Sequence, residues 1–395
     1  MEADTTASAA RQQSLREHNL ALVARTVLRA GTPPSRAAVA AGTGLNRATV
    51  SRLVAELVAG GLVAEEAPVS AGAGRPATPL RPASGTVAGL GLEVNVDFVG
   101  ARLVDLAGEV VAEQIETGDR RGADPAATLS RLAHLARAVI AQAPRVRIAG
   151  AGVALPGLVR HDHLLTAPNL GWQELRPRAL VLEAAPELGH LPMVLGNEAR
   201  FAALAELAAG PDESFLYVSG EVGIGAAIIK GGTFFTGLHG FSGELGHVSV
   251  EPSGPRCRCG ARGCLETFAG TQAMGSAAGL PPGATPADLA SRLAAGDVDA
   301  RAATHRAAVA LGIALASFVN LVDVGQIVLG NELGTLTEHL RPDVEAELAG
   351  RVLAARWAPP TVRAATAATH PALTGAARAA LEPVIADPSA WIAQG

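Results

Sequence analysis

Four side chains in one short stretch carry the most explicit chemistry in this sequence. His247, Cys257, Cys259 and Cys264 fall in HVSVEPSGPRCRCGARGC, with the spacing H-x9-C-x-C-x4-C. Three thiolates and one imidazole complete a tetrahedral shell for zinc, a borderline-soft ion that takes sulfur and nitrogen donors. These are all the cysteines of the chain, an odd number packed into eight residues, so a disulfide scaffold is a poor reading. Gly260 and Gly263 permit the tight turns that ligands so close in sequence require. A closed four-ligand shell excludes an activated water, which points to one structural zinc per chain and away from hydrolysis. The competing reading is a group of buried or reactive thiols beside an unrelated histidine.

A second constellation lies at the basic end. Residues 1–85 hold nine arginines against six acidic residues, whereas the whole chain carries a net charge of −5. A protein that coats nucleic acid along its length is therefore excluded, but a local contact is not. Asn46, Arg47, Thr49, Ser51 and Arg52 open a helical segment and avoid its apolar face of Val50, Leu53, Val54, Leu57 and Val58. A recognition helix places donors for base edges and phosphates in that way. Arg75, in Gly74-Arg75-Pro76, could reach an adjacent minor groove. The blander alternative is a small helical interaction domain with solvated arginines.

The elements that must position these groups can be read from periodicity. Leu20, Val23, Ala24, Val27 and Leu28 mark one helical face, Ser35 caps a short second helix, and Asn46 caps a third. With the following LVAEE strand and Gly/Pro/Ala hairpin, this is a winged helix-turn-helix over residues 12–70, and 71–86 reads as a linker. Beyond residue 87 strands alternate with helices, which predicts an α/β fold in two lobes. The lobes divide as 87–198, completed by the C-terminal helix 372–395, and 199–371. Hydrophobic residues make up 49% of 395 positions and aromatics only 3%, so the core must be Ala, Val and Leu. No 18-residue apolar run and no signal-peptide core are evident, which predicts a soluble, cytoplasmic chain without a membrane partner.

The segment GFSGELGHVSVEPSGPRCRCGARGCLETFAG resembles the signature of the ROK (repressor, ORF, kinase) family. ALPGLV, APNLGW, GNEARFAALAEL and VSGEVGIGAAII support the resemblance, which runs from residue 12 to the end. It implies an actin/hexokinase-like domain with a sugar pocket between the lobes, lined by Gly157, Asn197, Glu198, Glu244, His247 and Glu266. Asn197 and Glu198 could instead simply cap a helix, and Glu266 could be a surface carboxylate. It also implies a homodimer or homotetramer on operator DNA, with a small sugar or sugar derivative as effector.

The same resemblance separates sensor from kinase. Where ROK kinases carry an Asp-x-Gly-Gly-Thr phosphate turn, this chain has Glu93, Val94, Asn95, Val96 and Asp97. A second turn, normally Gly-Thr-Gly, reads Glu221-Val222-Gly223, and a Gly-Gly step at the adenosine site reads Gly330-Asn331. Glu198 takes the position of the catalytic aspartate, and Arg200 that of a usual asparagine. Lost glycines deny phosphates a close backbone, and added carboxylates repel them. The expectation is a sugar-responsive repressor of carbohydrate genes with no catalytic residue. A sugar kinase with an accessory DNA-binding domain is the alternative. A regulator released by a protein partner, suggested by Arg200, is a third.

Overall fold

The structure is a computed structural model that describes residues 2–68, 77–210, 212–367 and 369–394, with residues 2–12 described by backbone alone. Three helices open the chain: α1 (Glu2–Leu28), α2 (Arg36–Thr43) and α3 (Arg47–Ala59). Each start has a sequence cause. The Ser35 hydroxyl accepts from the Ala38 amide at 3.2 Å, and Asn46 Oδ1 accepts from the Thr49 amide at 2.8 Å. Both satisfy helix-end donors that would otherwise lack partners. Gly44, at φ 72°, ends α2 in a left-handed turn. Leu20, Val23, Val27, Val39, Val50, Leu53 and Leu57 meet in one apolar cluster.

Strand β1 (Val63–Glu65) pairs antiparallel with β2 (Leu80–Pro82) to make the wing. The wing's second strand thus occupies part of 71–86, which the sequence reading gave to a linker. Pro79 and Pro82 disguised it. In a two-stranded ribbon every strand is an edge, where proline costs no ladder bond, and Leu80 still faces the core.

The first lobe follows with β3 (Val87–Val94), β4 (Phe98–Asp105), β5 (Val110–Thr117), α4 (Pro125–Gln142) and β6 (Arg147–Leu155). A small sheet of β7 (Leu158–Arg160), β8 (His163–Ala167) and β9 (Trp172–Leu175) interrupts it, before α5 (Pro177–Ala184), β10 (Met193–Asn197) and α6 (Glu198–Ala209). The second lobe opens with β11 (Phe215–Gly220), β12 (Ile224–Lys230) and β13 (Thr233–Phe234). Its helices are α7 (Glu266–Ala269), α8 (Thr271–Ala277), α9 (Pro286–Ala294) and α10 (Val298–Val322). It continues with β14 (Gln326–Gly330), α11 (Asn331–Thr335), α12 (Thr337–Arg351) and β15 (Thr361–Ala364). Helices α13 (Pro371–Ala386) and α14 (Pro388–Ala393) end the chain.

The strand orders β10-β6-β3-β4-β5 and β13-β12-β11-β14-β15 are the same topology used twice. In each lobe three antiparallel strands are extended by two parallel ones, on the side of the first strand. Helix α10 is apolar enough over eighteen residues to span a membrane by composition, a run the sequence reading overlooked; half of it is buried. It forms the centre of the second-lobe core, with Ala307, Leu311 and Leu315 inside.

Helix α13 lies directly on the first sheet. A Cβ on Gly91 or Gly152 would fall 2.0 or 2.2 Å from the Leu373 or Ala376 carbonyl oxygen, so both strands need glycine there. The far end of the same helix meets the N-terminal module. Leu381 and Val384 share the apolar cluster of Leu20 and Leu57, and Arg29 pairs with Glu382 at 2.5 Å.

Candidate functional site

The four predicted metal ligands converge. Their donor atoms all lie within 4.8 Å of one another. Cys259 Sγ is 3.7 Å from Cys264 Sγ, and His247 Nδ1 is 3.8 Å from Cys257 Sγ. Zinc–sulfur bonds of about 2.3 Å in a tetrahedron set sulfur atoms about 3.8 Å apart, so these residues fit a tetrahedral ion. The chain reaches this geometry by turning sharply. The Gly260 amide donates to the Cys257 carbonyl at 3.0 Å, and the Cys257 amide to Ala261 at 2.9 Å. Gly263 has φ 65°, and a Cβ there would strike the Glu251 carbonyl oxygen at 1.6 Å.

The six expected sugar residues also converge, in one cleft between the lobes with an internal volume of about 60 Å³. Gly157, Asn197 and Glu198 line it from the first lobe and α6; Glu244, His247 and Glu266 line it from the second. Asn197 has both ends of its amide engaged: Nδ2 donates to the Gly157 carbonyl at 2.9 Å, and Oδ1 accepts from the Ala199 amide at 2.8 Å. It caps α6 and pins the Gly157 turn, where φ is 89°. Glu266 Oε1 accepts from the Cys257 thiol at 2.8 Å and lies 3.7 Å from His247 Nδ1.

Asn169 was not among the expected residues and lines the same cleft. Its Nδ2 is 2.8 Å, and Glu266 Oε2 3.1 Å, from where a Cβ on Gly223 would stand. An asparagine directly after Pro168 and two residues before Gly171, in a loop, was the available signal.

On the side where the kinase phosphate turns align, polar side chains bound the cleft and line a larger cavity of about 610 Å³. Asn95 Nδ2 donates to Glu221 Oε2 and, at 3.4 Å, to Glu198 Oε2. Asn331 Nδ2 donates to Glu221 Oε1 at 2.6 Å and to the Ser219 hydroxyl at 2.9 Å. Glu93, Glu198 and Glu221 therefore crowd one interior. Burial above all, then mutual repulsion, pushes Glu93 and Glu198 well above the usual carboxylate range. Burial also lifts Glu221 to about 7, with Asn95 partly opposing it. Arg200 is not part of the cleft; its guanidinium lies 5.2 Å from the Phe234 ring.

On the N-terminal module, Asn46, Arg47, Ser51 and Arg52 are exposed and Thr49 is half-buried, opposite the apolar face of α3. Asn46 already uses Oδ1 as a cap, which leaves only its amide hydrogens for DNA. Arg75 lies outside the described residues.

Residues 90–382 match the ROK family, and residues 25–67 match the IclR helix-turn-helix domain. The chain belongs to the ROK family. A xylose repressor of Bacillus subtilis is 28% identical over 350 residues, covering 86% of this chain and 89% of the repressor. An N-acetylmannosamine kinase of Escherichia coli O1:K1 is 30% identical over 254 residues, covering 64% of this chain and 85% of the kinase. The crystal structure of a ROK family transcriptional regulator, a homologue of the E. coli MLC protein, superposes with a TM-score of 0.77 at 24% identity. It covers 96% of this chain and all of that one, which shows the two-part fold over nearly the full length. ROK relatives thus include regulators and kinases, and the site itself has to separate them.

Proposed function

We propose that this ROK protein is a sugar-responsive transcriptional repressor that binds operator DNA as a homodimer or homotetramer in the cytoplasm. One observation supports the reading: the six residues expected to line a sugar pocket meet in one cleft, while the turns that would receive phosphate in a kinase carry Asn95, Glu221 and Asn331, hydrogen-bonded to one another. A triphosphate brought there would face carboxylates, with no glycine turn to receive it. The kinase relative favours a second reading, a sugar kinase carrying a DNA-binding module, and the same substituted turns argue against it.

One zinc per chain would be held by His247, Cys257, Cys259 and Cys264 and would fix the loop presenting Glu244 and Glu266. Its role is structural. His247 could then turn its second ring nitrogen toward a sugar oxygen.

A sugar held by Gly157, Asn197 and Glu198 on one side and by Glu244, His247 and Glu266 on the other would touch both lobes and bias how far apart they stand. A change in that spacing would strain Asn95–Glu221 and move α6, which starts at Glu198 and packs along α13. The other end of α13 seats the N-terminal module. Sugar would thus bias the spacing of two recognition helices, through its differential affinity for the open and closed arrangements.

A thermal-shift screen of monosaccharides, led by D-xylose because relatives are xylose repressors, tests the reading with and without MgATP. A shift with a sugar and none from MgATP supports it. A shift that requires MgATP favours the kinase.

A further inference from the structure

The three thiols of the metal cluster are not equally sheltered. Cys257 and Cys264 are buried, whereas Cys259 is exposed. Cys259 Sγ lies 3.7 Å from Cys264 Sγ, and a disulfide needs about 2.05 Å, so the chain between them has to give. It is built to give on one side only. Gly260, Ala261 and Arg262 are exposed, and a Cβ on Gly260 would meet nothing within 4 Å. Gly263, by contrast, is packed against the Glu251 carbonyl. Cys259 is thus the sulfur free to move, toward a fixed Cys264. Cys257 is already engaged, by Glu266 Oε1 at 2.8 Å and by the Cys259 amide at 3.4 Å.

The surroundings of Cys259 are electropositive. Arg256, Arg258 and Arg262 are all exposed, and none makes an ion pair among the described residues. Arg256 and Arg262 face each other across an antiparallel bridge, an unfavourable pairing of like charges. Arg258 has only the neutral Asn169 Oδ1, at 3.4 Å. Exposed thiols in positive surroundings are the reactive ones, and guanidinium groups stabilise negative charge as it develops on a departing oxygen.

We propose that Cys259 and Cys264 are a peroxide-sensing pair, oxidised by hydrogen peroxide to a disulfide with release of the cluster's metal. A bound zinc keeps both sulfurs deprotonated. The Cys259 thiolate attacks one peroxide oxygen; the S–O bond forms, the O–O bond breaks, and the other oxygen takes up a proton and leaves as water. The Cys264 thiolate then attacks the sulfenic sulfur; the S–S bond forms, and the hydroxyl leaves with a second proton as a second water. Two electrons pass from the sulfurs to the peroxide.

Cys257 and His247 are then the two donors left of four, too few for a structural site. Both adjoin the effector cleft, Cys257 through Glu266 and His247 directly. Oxidation would therefore blunt the effector response, a consequence that rests on the sugar reading; the sulfur chemistry does not.

The test treats zinc-loaded full-length protein with millimolar hydrogen peroxide. Zinc release is followed with a chromophoric chelator, free thiols are counted, and bridged peptides are mapped by mass spectrometry. The expected result is one zinc and two thiols lost per chain in step, a Cys259–Cys264 bridge with Cys257 still open to alkylation, and reversal by dithiothreitol with added zinc. Arg258→Glu combined with Arg262→Glu, neither of them a candidate ligand, should slow release severalfold. Zinc retained under peroxide, a bridge that includes Cys257, or a rate indifferent to the charge reversal would overturn the proposal. If the bridge forms but no sugar shifts the melting temperature of untreated protein, the sugar reading fails and the peroxide-sensing pair stands.

Discussion

The Cys257 thiol lies 2.8 Å from Oε1 of Glu266, so a candidate metal ligand touches a carboxylate of the candidate effector cleft. Glu266 also stands at the start of α7, two residues after Cys264, and His247 belongs to both groups. Metal and effector are therefore expected to be coupled through shared side chains. On the proposed reading, the cluster would set where Glu266 and His247 stand, and a bound sugar would read that placement.

This coupling gives the first prediction. Elemental analysis should find one zinc per chain, and Cys259→Ser should lose it together with thermal stability, because metal-binding free energy is part of folding free energy. Stripping zinc with a chelator should also weaken sugar binding at least tenfold. A zinc content near zero in unchelated protein would remove the structural ion from the account.

DNA binding gives the second. Arg47 and Arg52 are exposed on α3 and make no ion pair among the described residues. Arg47→Ala or Arg52→Ala should weaken operator binding by about 1–3 kcal/mol where the arginine is bidentate to guanine. Binding should also fall steeply with salt. Footprints of both variants that match the parent would show that α3 is not the reading helix.

Much of this was legible in sequence for a physical reason. Cysteine spacing, helix caps at Ser35 and Asn46, and the apolar face of Val50, Leu53 and Leu57 are local signals, and the structure uses them locally. What was missed depends on distant partners. Strand β2 hides behind prolines until β1 pairs with it. Asn169 becomes part of the cleft only when Glu266 and Gly223 are brought against it. The duplicated lobe topology has no local signature, because a sheet order is set by strands far apart in sequence. Likewise, the crowding of Glu93, Glu198 and Glu221 requires both lobes.

That crowding makes stability depend on pH in a definite direction. An unfolded glutamate titrates near 4.5, whereas Glu221 in the native chain titrates at about 7, and Glu93 and Glu198 are raised as well. Between those values the native state holds protons that the unfolded chain has released. Stability contributed by these groups is therefore full below about pH 4.5 and is lost as pH rises through about 7. Denaturant titrations from pH 5.5 to 7.5 should show stability falling by up to about 1.4 kcal/mol per pH unit for each retained proton. Glu221→Gln should flatten the slope. A flat profile would mean that the three carboxylates are already ionised in the folded protein.

The central claim is that sugar, without phosphorylation, changes the protein's hold on DNA. Operator affinity should be measured on the full-length protein with and without a sugar that shifts its melting temperature, in the presence of MgATP, while sugar phosphate is assayed in the same tube. The account predicts a change of at least tenfold in operator affinity and no phosphorylated product. Glu244→Ala should abolish that response and leave DNA binding without sugar nearly unchanged, because losing a charge-assisted hydrogen bond of about 1.5–3 kcal/mol weakens the effector alone. Sugar-dependent turnover of ATP, or operator binding indifferent to the sugar that the protein binds, would contradict it.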